Sequence, residues 1–186
     1  ILPAMTQRGM EALRAHVAPI EDLKGAARLL SWDQETMMPP AGTEPRAHQM
    51  GTLARILHAR TTDPALGELL AQCEEEVQPD TQDARIVRAL RRQYDQLARV
   101  PADLVVKRTE LSARAREAWK VARKNNDFAS FAPYLADQFS LAREYAEHLG
   151  YRENPYEALL DAYEPGTTFS WINERFGALK PQLAEL

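Results

Sequence analysis

Two carboxylates and a guanidinium, Asp33, Glu35 and Arg46, cluster around the run Leu30-Ser31-Trp32-Asp33-Gln34-Glu35-Thr36-Met37-Met38-Pro39-Pro40. Such groups can hold a proton, form an ion pair or line a polar cleft, and the backbone that carries them decides which. Leu29, Leu30 and Trp32 close a helical apolar pattern, and two consecutive prolines forbid its continuation. Pro40 lacks an N–H and pushes Pro39 toward extended geometry. A plain core helix does not call for two acids beside two methionines, and neither does a plain solvated loop. One structural duty for the run makes Trp32 a core anchor with its indole N–H bonded locally. Asp33 and Glu35 are then cap or ion-pair residues with Arg46 as partner, and Met37 and Met38 fill gaps in the packing. A tryptophan buried in that way loses about 3–5 kcal/mol on Trp32→Ala.

Histidines are the next chemistry-bearing residues. The chain has His16, His48, His58 and His148, followed by Val17, Gln49, Ala59 and Leu149. A zinc hydrolase helix of the H-E-x-x-H type sets two imidazoles one turn apart, with a glutamate free to act as base. None of these histidines opens such a motif, and no two stand at i, i+4. A di-iron bundle needs Glu-x-x-His pairs, but the residues three before each histidine are Leu13, Pro45, Arg55 and Tyr145. Glu144 and Glu147 beside His148 read as a solvated helix end. The eight scattered glycines form no phosphate loop, and no nucleophile elbow is present. Cys73 falls on the apolar stripe Leu66, Leu69, Leu70, Cys73, Val77, with no histidine nearby in sequence to activate it, and reads as a small core residue.

Composition narrows the class. Hydrophobic residues at 45% and charged residues at 27% of 186 are ordinary for a globular domain with a real core. A net charge of -4 argues against nucleic acid, and the arginines are interleaved with Glu and Asp as on solvated helix faces. One cysteine allows no internal disulfide and favours a cytoplasmic setting. No apolar run approaches the ~20 residues of a membrane span, and Ile1-Leu2-Pro3 carries no signal-peptide pattern.

The elements that must position these groups are all helical. Apolar spacing predicts helices over approximately 4–18, 20–35, 45–61, 64–77, 82–98, 101–124, 133–149, 155–163 and 169–186. Pro19 is expected to interrupt or kink the first of them. Asp63 with Pro64 is a start signal, as are Thr81 or Gln82. Asp127 should cap a short turn holding Phe128 and Phe131 before Pro133 opens the next helix, which Gly150 ends in the left-handed conformation. Trp119, Phe128, Phe131 and Tyr134 are expected in the core. The last stripe, Phe169, Ile172, Phe176, Leu179, Leu183 and Leu186, is still apolar at the final residue. No period-2 run of β-branched residues occurs. The fold class is all-α, a single region of antiparallel amphipathic helices over residues 1–186.

W-D-Q-E-T-x-M-P-x-x-x-x-x-x-R-x-x-Q, from Trp32 to Gln49, resembles the N-terminal signature of the carboxypeptidase Taq family, the M32 zinc metallocarboxypeptidases. The resemblance runs on through Tyr94, Val100-Pro101, Trp119, Asp127-Phe128 with Phe131 and Pro133, and Asp161-Ala162-Tyr163-Glu164-Pro165-Gly166. It implies the N-terminal part of a larger helical, cleft-containing metallopeptidase that removes C-terminal residues from peptides. It further implies a divalent metal, usually zinc, that activates water with a glutamate as base, and a homodimer. On that view the metal ligands and the base lie outside these residues, the chain is a fragment without activity of its own, and none of its residues is catalytic. Trp32, Asp33, Glu35, Met37 and Arg46 then line or cover the substrate groove, and the open terminal stripe makes the fragment self-associate. The competing reading is a stand-alone helical interaction module without catalysis.

Overall fold

A computed structural model describes residues 2–184, with side chains from Arg8 onward. The described residues form eight α-helices and a short 3₁₀ turn, with no strand among them. The helices are α1 (Leu2–Thr36), α2 (Thr43–Thr61), α3 (Pro64–Glu76), α4 (Gln82–Ala98), α5 (Ala102–Asn125), α6 (Phe128–Leu149), α7 (Pro155–Leu160) and α8 (Phe169–Ala184). None of them is long and apolar enough to cross a membrane. Packing divides the chain into two compact units, residues 1–138 and 139–186, with the boundary inside α6.

Capping chemistry sets most helix starts. The Asp63 carboxylate accepts from Ala65 N, with Pro64 in the first position where no N–H is needed. The Thr81 hydroxyl accepts from Ala84 N in the same way. Asn126 at φ 52° and Gly150 at φ 78° end α5 and α6 in the left-handed region.

Two expected breaks do not occur. Pro19 lies inside one continuous helix of 35 residues, about 52 Å long at 1.5 Å per residue. Proline there removes only its own bond to the carbonyl four residues back. Leu13 and Ile20, on either side of it, are 1% and 3% exposed in the same core, so packing holds the helix through the defect. Pro133 likewise lies within α6. Phe128 and Phe131 therefore open that helix and do not sit in a separate turn. The first four N–H groups of a helix have no intrahelical partner, so a proline in the sixth position forfeits a single bond. The seventh predicted helix begins at 128, and the expected span 155–163 closes at Leu160 in turns. Leu186 lies outside the described residues.

In the first unit α1 packs on α2 and α3, α3 on α4, and α2 on α4 and α5. Met10, Leu13, Ile20, Leu66, Leu70, Cys73 and Val87 form the core, flanked by Val17, Leu57, Leu69 and Leu90. Cys73 is fully buried, and burial raises its thiol pKa, with Glu76 adding to the effect. It is the inert core residue its stripe suggests. In the second unit Ala146, Glu157, Ala158 and Leu160 are buried, and Tyr156 meets Phe169 edge to face at 6.4 Å.

One glycine is required for the contact between α3 and α4. A Cβ on Gly67 would lie 2.7 Å from Tyr94 Oη and 2.8 Å from its Cζ. Tyr94 cannot withdraw freely, because Arg91 lies over its ring at 5.6 Å while donating to Gly67 O at 3.0 Å. We expect Gly67→Ala to destabilise the protein by about 1–3 kcal/mol through overpacking. Urea unfolding followed by circular dichroism measures this, and an unchanged midpoint would show that Tyr94 moves at no cost.

Candidate functional site

The end of α1 is fixed on two sides. Toward α2, the Arg46 guanidinium donates to Leu30 O and Asp33 Oδ2, both at 2.5 Å, and to Gln49 Oε1 at 3.2 Å. Its side chain is only 12% exposed. A planar fork suits this task, since one group can meet acceptors in different directions. Toward α5, buried Gln34 donates to Ala113 O at 3.0 Å and Glu117 Oε1 at 3.2 Å, while Lys120 Nζ donates to Gln34 O at 3.3 Å. Lys120 also meets Glu117 at 2.9 Å and Glu35 at 3.4 Å, and Arg116 pairs with Glu35. The hydrogen bond from Arg116 chiefly holds the Glu35 carboxyl below its ordinary value, outweighing the desolvation that opposes it, and the charges of Arg116 and Lys120 add to the lowering. A carboxyl so held stays ionised near neutral pH and acts as a member of an ion pair.

Five residues were expected here, and the structure divides them. Asp33 and Arg46 pair with each other, as their types suggest. Glu35 faces α5 and pairs there. Trp32 is 58% exposed and Met37 72% exposed, so neither is the core anchor or gap filler expected from its type. The inward positions of this helix end belong to Leu30, Asp33 and Gln34, which leaves Trp32, with Leu29, on the outer face. Trp119 and Phe128, also expected in the core, are exposed, while Phe131 and Tyr134 are half-buried. Arg123 lies over the open face of Trp119 at 5.1 Å.

A cavity of about 460 Å³ opens beside Glu35, walled by Arg116, Trp119, Phe131 and Gln138. Its charges are already matched to one another, so it offers aromatic and aliphatic surface with a neutralised polar edge.

Two histidines meet groups on neighbouring helices. His58 Nε2 lies 2.7 Å from Val100 O and 3.3 Å from Leu97 O, so its proton serves the carbonyls that close α4. His48 lies 3.7 Å from Glu110, which also pairs with Arg114 at 3.2 Å. Among the described residues no three His, Cys, Asp or Glu side chains come together as metal ligands. The described residues therefore present no cluster that fits a resident metal.

Sequence reading missed Glu157. Its carboxylate, in a residue 8% exposed, accepts from Phe169 N at 3.0 Å, Glu153 N at 3.2 Å and Arg152 N at 3.3 Å. These bonds tie the segment before α7 to the start of α8. The Phe169 bond, followed by those from the preceding segment, holds the Glu157 carboxyl below its ordinary 4.5. The signal was present as Asn154-Pro155-Tyr156-Glu157, a cap residue with glutamate three positions on, the arrangement of a capping box.

Three outcomes follow. Arg46→Ala should destabilise by about 2–3 kcal/mol, because partly buried acceptors lose charge-assisted bonds. Trp32→Ala should change stability by less than about 1 kcal/mol, as at other exposed positions. Thermal unfolding of the two variants side by side tests the assignment, and a reversed order would refute it. For Glu157 the folded pKa lies below the unfolded one. Its contribution is therefore present above the ordinary carboxyl range and is lost as pH falls toward the lower folded value. Glu157→Gln should flatten the acid limb of a stability-against-pH curve, which chemical unfolding at stepped pH will show.

Comparison with known proteins gives consistent matches. The family model described as Carboxypeptidase Taq (M32) metallopeptidase matches residues 12–186. Thermostable carboxypeptidase 1 of Thermus thermophilus is 38% identical over 177 residues, covering 88% of this chain and 34% of that protein. Carboxypeptidase 1 of Bacillus subtilis is 31% identical over 164 residues, covering 87% of this chain and 32% of that protein. Among solved structures, BsuCP superposes with a TM-score of 0.87 at 27% identity, over 94% of this chain and 35% of the other. The M32 carboxypeptidase of Deinococcus radiodurans gives 0.75 at 29% identity, over 96% and 36%. The chain thus spans about a third of the length of the curated relatives it matches.

Proposed function

The chain belongs to the carboxypeptidase Taq (M32) metallopeptidase family, and from that premise we propose that it forms the N-terminal helical part of a metal-dependent carboxypeptidase. The reaction of the whole protein is hydrolysis of the last peptide bond of a peptide, releasing the C-terminal amino acid. The observation that carries this reading is the match of the family model from residue 12 to residue 186.

On this reading the metal, zinc, and the general base are held by residues beyond these 186, a view supported by the lack of any cluster of three His, Cys, Asp or Glu among the described residues. The present residues supply architecture. Asp33, Gln34 and Arg46 fix the end of α1, and that end holds Trp32 and Met37 outward with Glu35 at the edge of the cavity. Trp32, Glu35 and Met37 contribute to one wall or lid of the substrate groove, with Asp33 and Arg46 as positioning residues behind them. The exposure of Trp32 supports a contact surface here. The whole protein works as a cytoplasmic homodimer, a setting favoured by the single cysteine. The 186-residue chain alone self-associates through α8, where Phe176, Leu179 and Leu183 are exposed and no residue is buried. Leaving large apolar side chains in water forgoes about 1.5–3 kcal/mol each.

The chain alone should trim no peptide and retain no stoichiometric zinc after dialysis. An assay on N-blocked peptides combined with metal analysis checks this, and activity with bound zinc would overturn it. Leu179→Glu with Leu183→Glu should reduce the oligomer seen by light scattering while leaving the unfolding of the first unit nearly unchanged. A monomer before the change would refute self-association.

A further inference from the structure

The cavity beside Glu35 has walls of two kinds. Trp119 and Phe131 give it aromatic surface, and Ala115, 1% exposed, adds a methyl group. Arg123 lies over the Trp119 ring at 5.1 Å, which steadies the indole that lines the cavity. The polar part of the wall is Ser112 and Gln138, beside the pair of Glu35 and Arg116. Neither Ser112 nor Gln138 has a hydrogen-bond partner among the described residues. Each can both donate and accept.

Charge and size narrow what fits. Glu35 meets Arg116 and Lys120, and Lys120 also meets Glu117, so two acids here face two cations. An ionic ligand would have to compete with these pairs, whereas a neutral one leaves them whole. A volume of about 460 Å³ lies in the range of sites that take small organic groups. Aromatic rings pair with one another offset or edge to face. A hydroxyl at the end of such a ring is answered by a glutamine amide and a serine hydroxyl.

We propose that this cavity is a subsite for an aromatic side chain of the peptide substrate, tyrosine above all. Its ring lies against Trp119 and Phe131, and its hydroxyl bonds to Gln138 and Ser112. The subsite rests on the carboxypeptidase reading above and adds a substrate preference to it.

The test has two arms. In the first, nuclear magnetic resonance of the 186-residue chain follows the Trp119 indole and Gln138 amide signals during titration with N-acetyltyrosinamide. Both signals should shift and saturate. N-acetylalaninamide should bind about tenfold more weakly, given what burying a ring contributes. Gln138→Leu should weaken the tyrosine compound about fivefold and leave N-acetylphenylalaninamide as it was. That difference separates a lost contact from a disturbed fold. Equal binding of the alanine compound would overturn the proposal, as would the lack of any saturable shift at Trp119. In the second arm, the whole protein is given N-blocked tetrapeptides of alanine carrying tyrosine at each position in turn. One position should lower KM about tenfold, and Gln138→Leu should remove most of that gain. Cleavage of every peptide with the same KM would overturn the subsite and leave the carboxypeptidase reading standing. Cleavage of none would overturn that reading, and the role in substrate binding with it, while the titration still judges the cavity itself.

Discussion

A single guanidinium, that of Arg46, joins the last turns of α1 to α2 by reaching both the Leu30 carbonyl and the Asp33 carboxylate. The other side of the same helix end is held by Gln34 and Glu35 on α5. Polar groups thus occupy the inward positions where apolar ones would ordinarily sit, and each has its partner. A buried polar group is tolerated only when it is bonded. Every bond in this set therefore depends on the others holding α1, α2 and α5 in register. The outward consequence is that Trp32, Leu29 and Met37 are left to the surface, although their types are those of a core.

The carboxylates show how differently one group can be used. Glu35 is held between two cations on a surface that water still reaches. Glu157 has no cation in its set and is held by backbone N–H groups, which act at short range and point at it. Glu110 lies where Gly51 leaves room, its oxygen 2.5 Å from the place a Cβ would take, and it meets Arg114 and His48 from there. Each arrangement spends the charge on holding helices together.

The fold class and the starts of α3, α4 and α7 were legible because capping is local. Asp63, Thr81 and Asn154 act on N–H groups two or three residues away, and that information lies in the sequence. The breaks expected at Pro19 and Pro133 were misjudged because proline removes one bond, whereas burial of Leu13 and Ile20 acts over the whole helix. Trp32 was misplaced for a related reason. Its type favours burial, but which side of α1 faces inward was decided by Gln34 and Arg46, whose partners stand on α2 and α5, remote in the sequence. The pairing of Asp33 with Arg46 was legible, since opposite charges near a helix end are a short-range matter. The Glu157 clasp could have been found from the spacing of Asn154 and Glu157 alone.

Arg46 also has an asymmetry that bears on how such a sequence can drift. One of its two short partners is a side chain that mutation can replace, and the other is the peptide oxygen of Leu30, present whatever residue stands there. A change at Asp33 can be answered by adjusting position 46 only if the new residue still reaches that oxygen. A lysine presents one point donor in place of a fork and would meet one acceptor at the expense of the other. The two positions are therefore unequal in evolutionary freedom. Asp33 has neighbours to which it could yield its role, while Arg46 answers to the main chain and has almost nowhere to go.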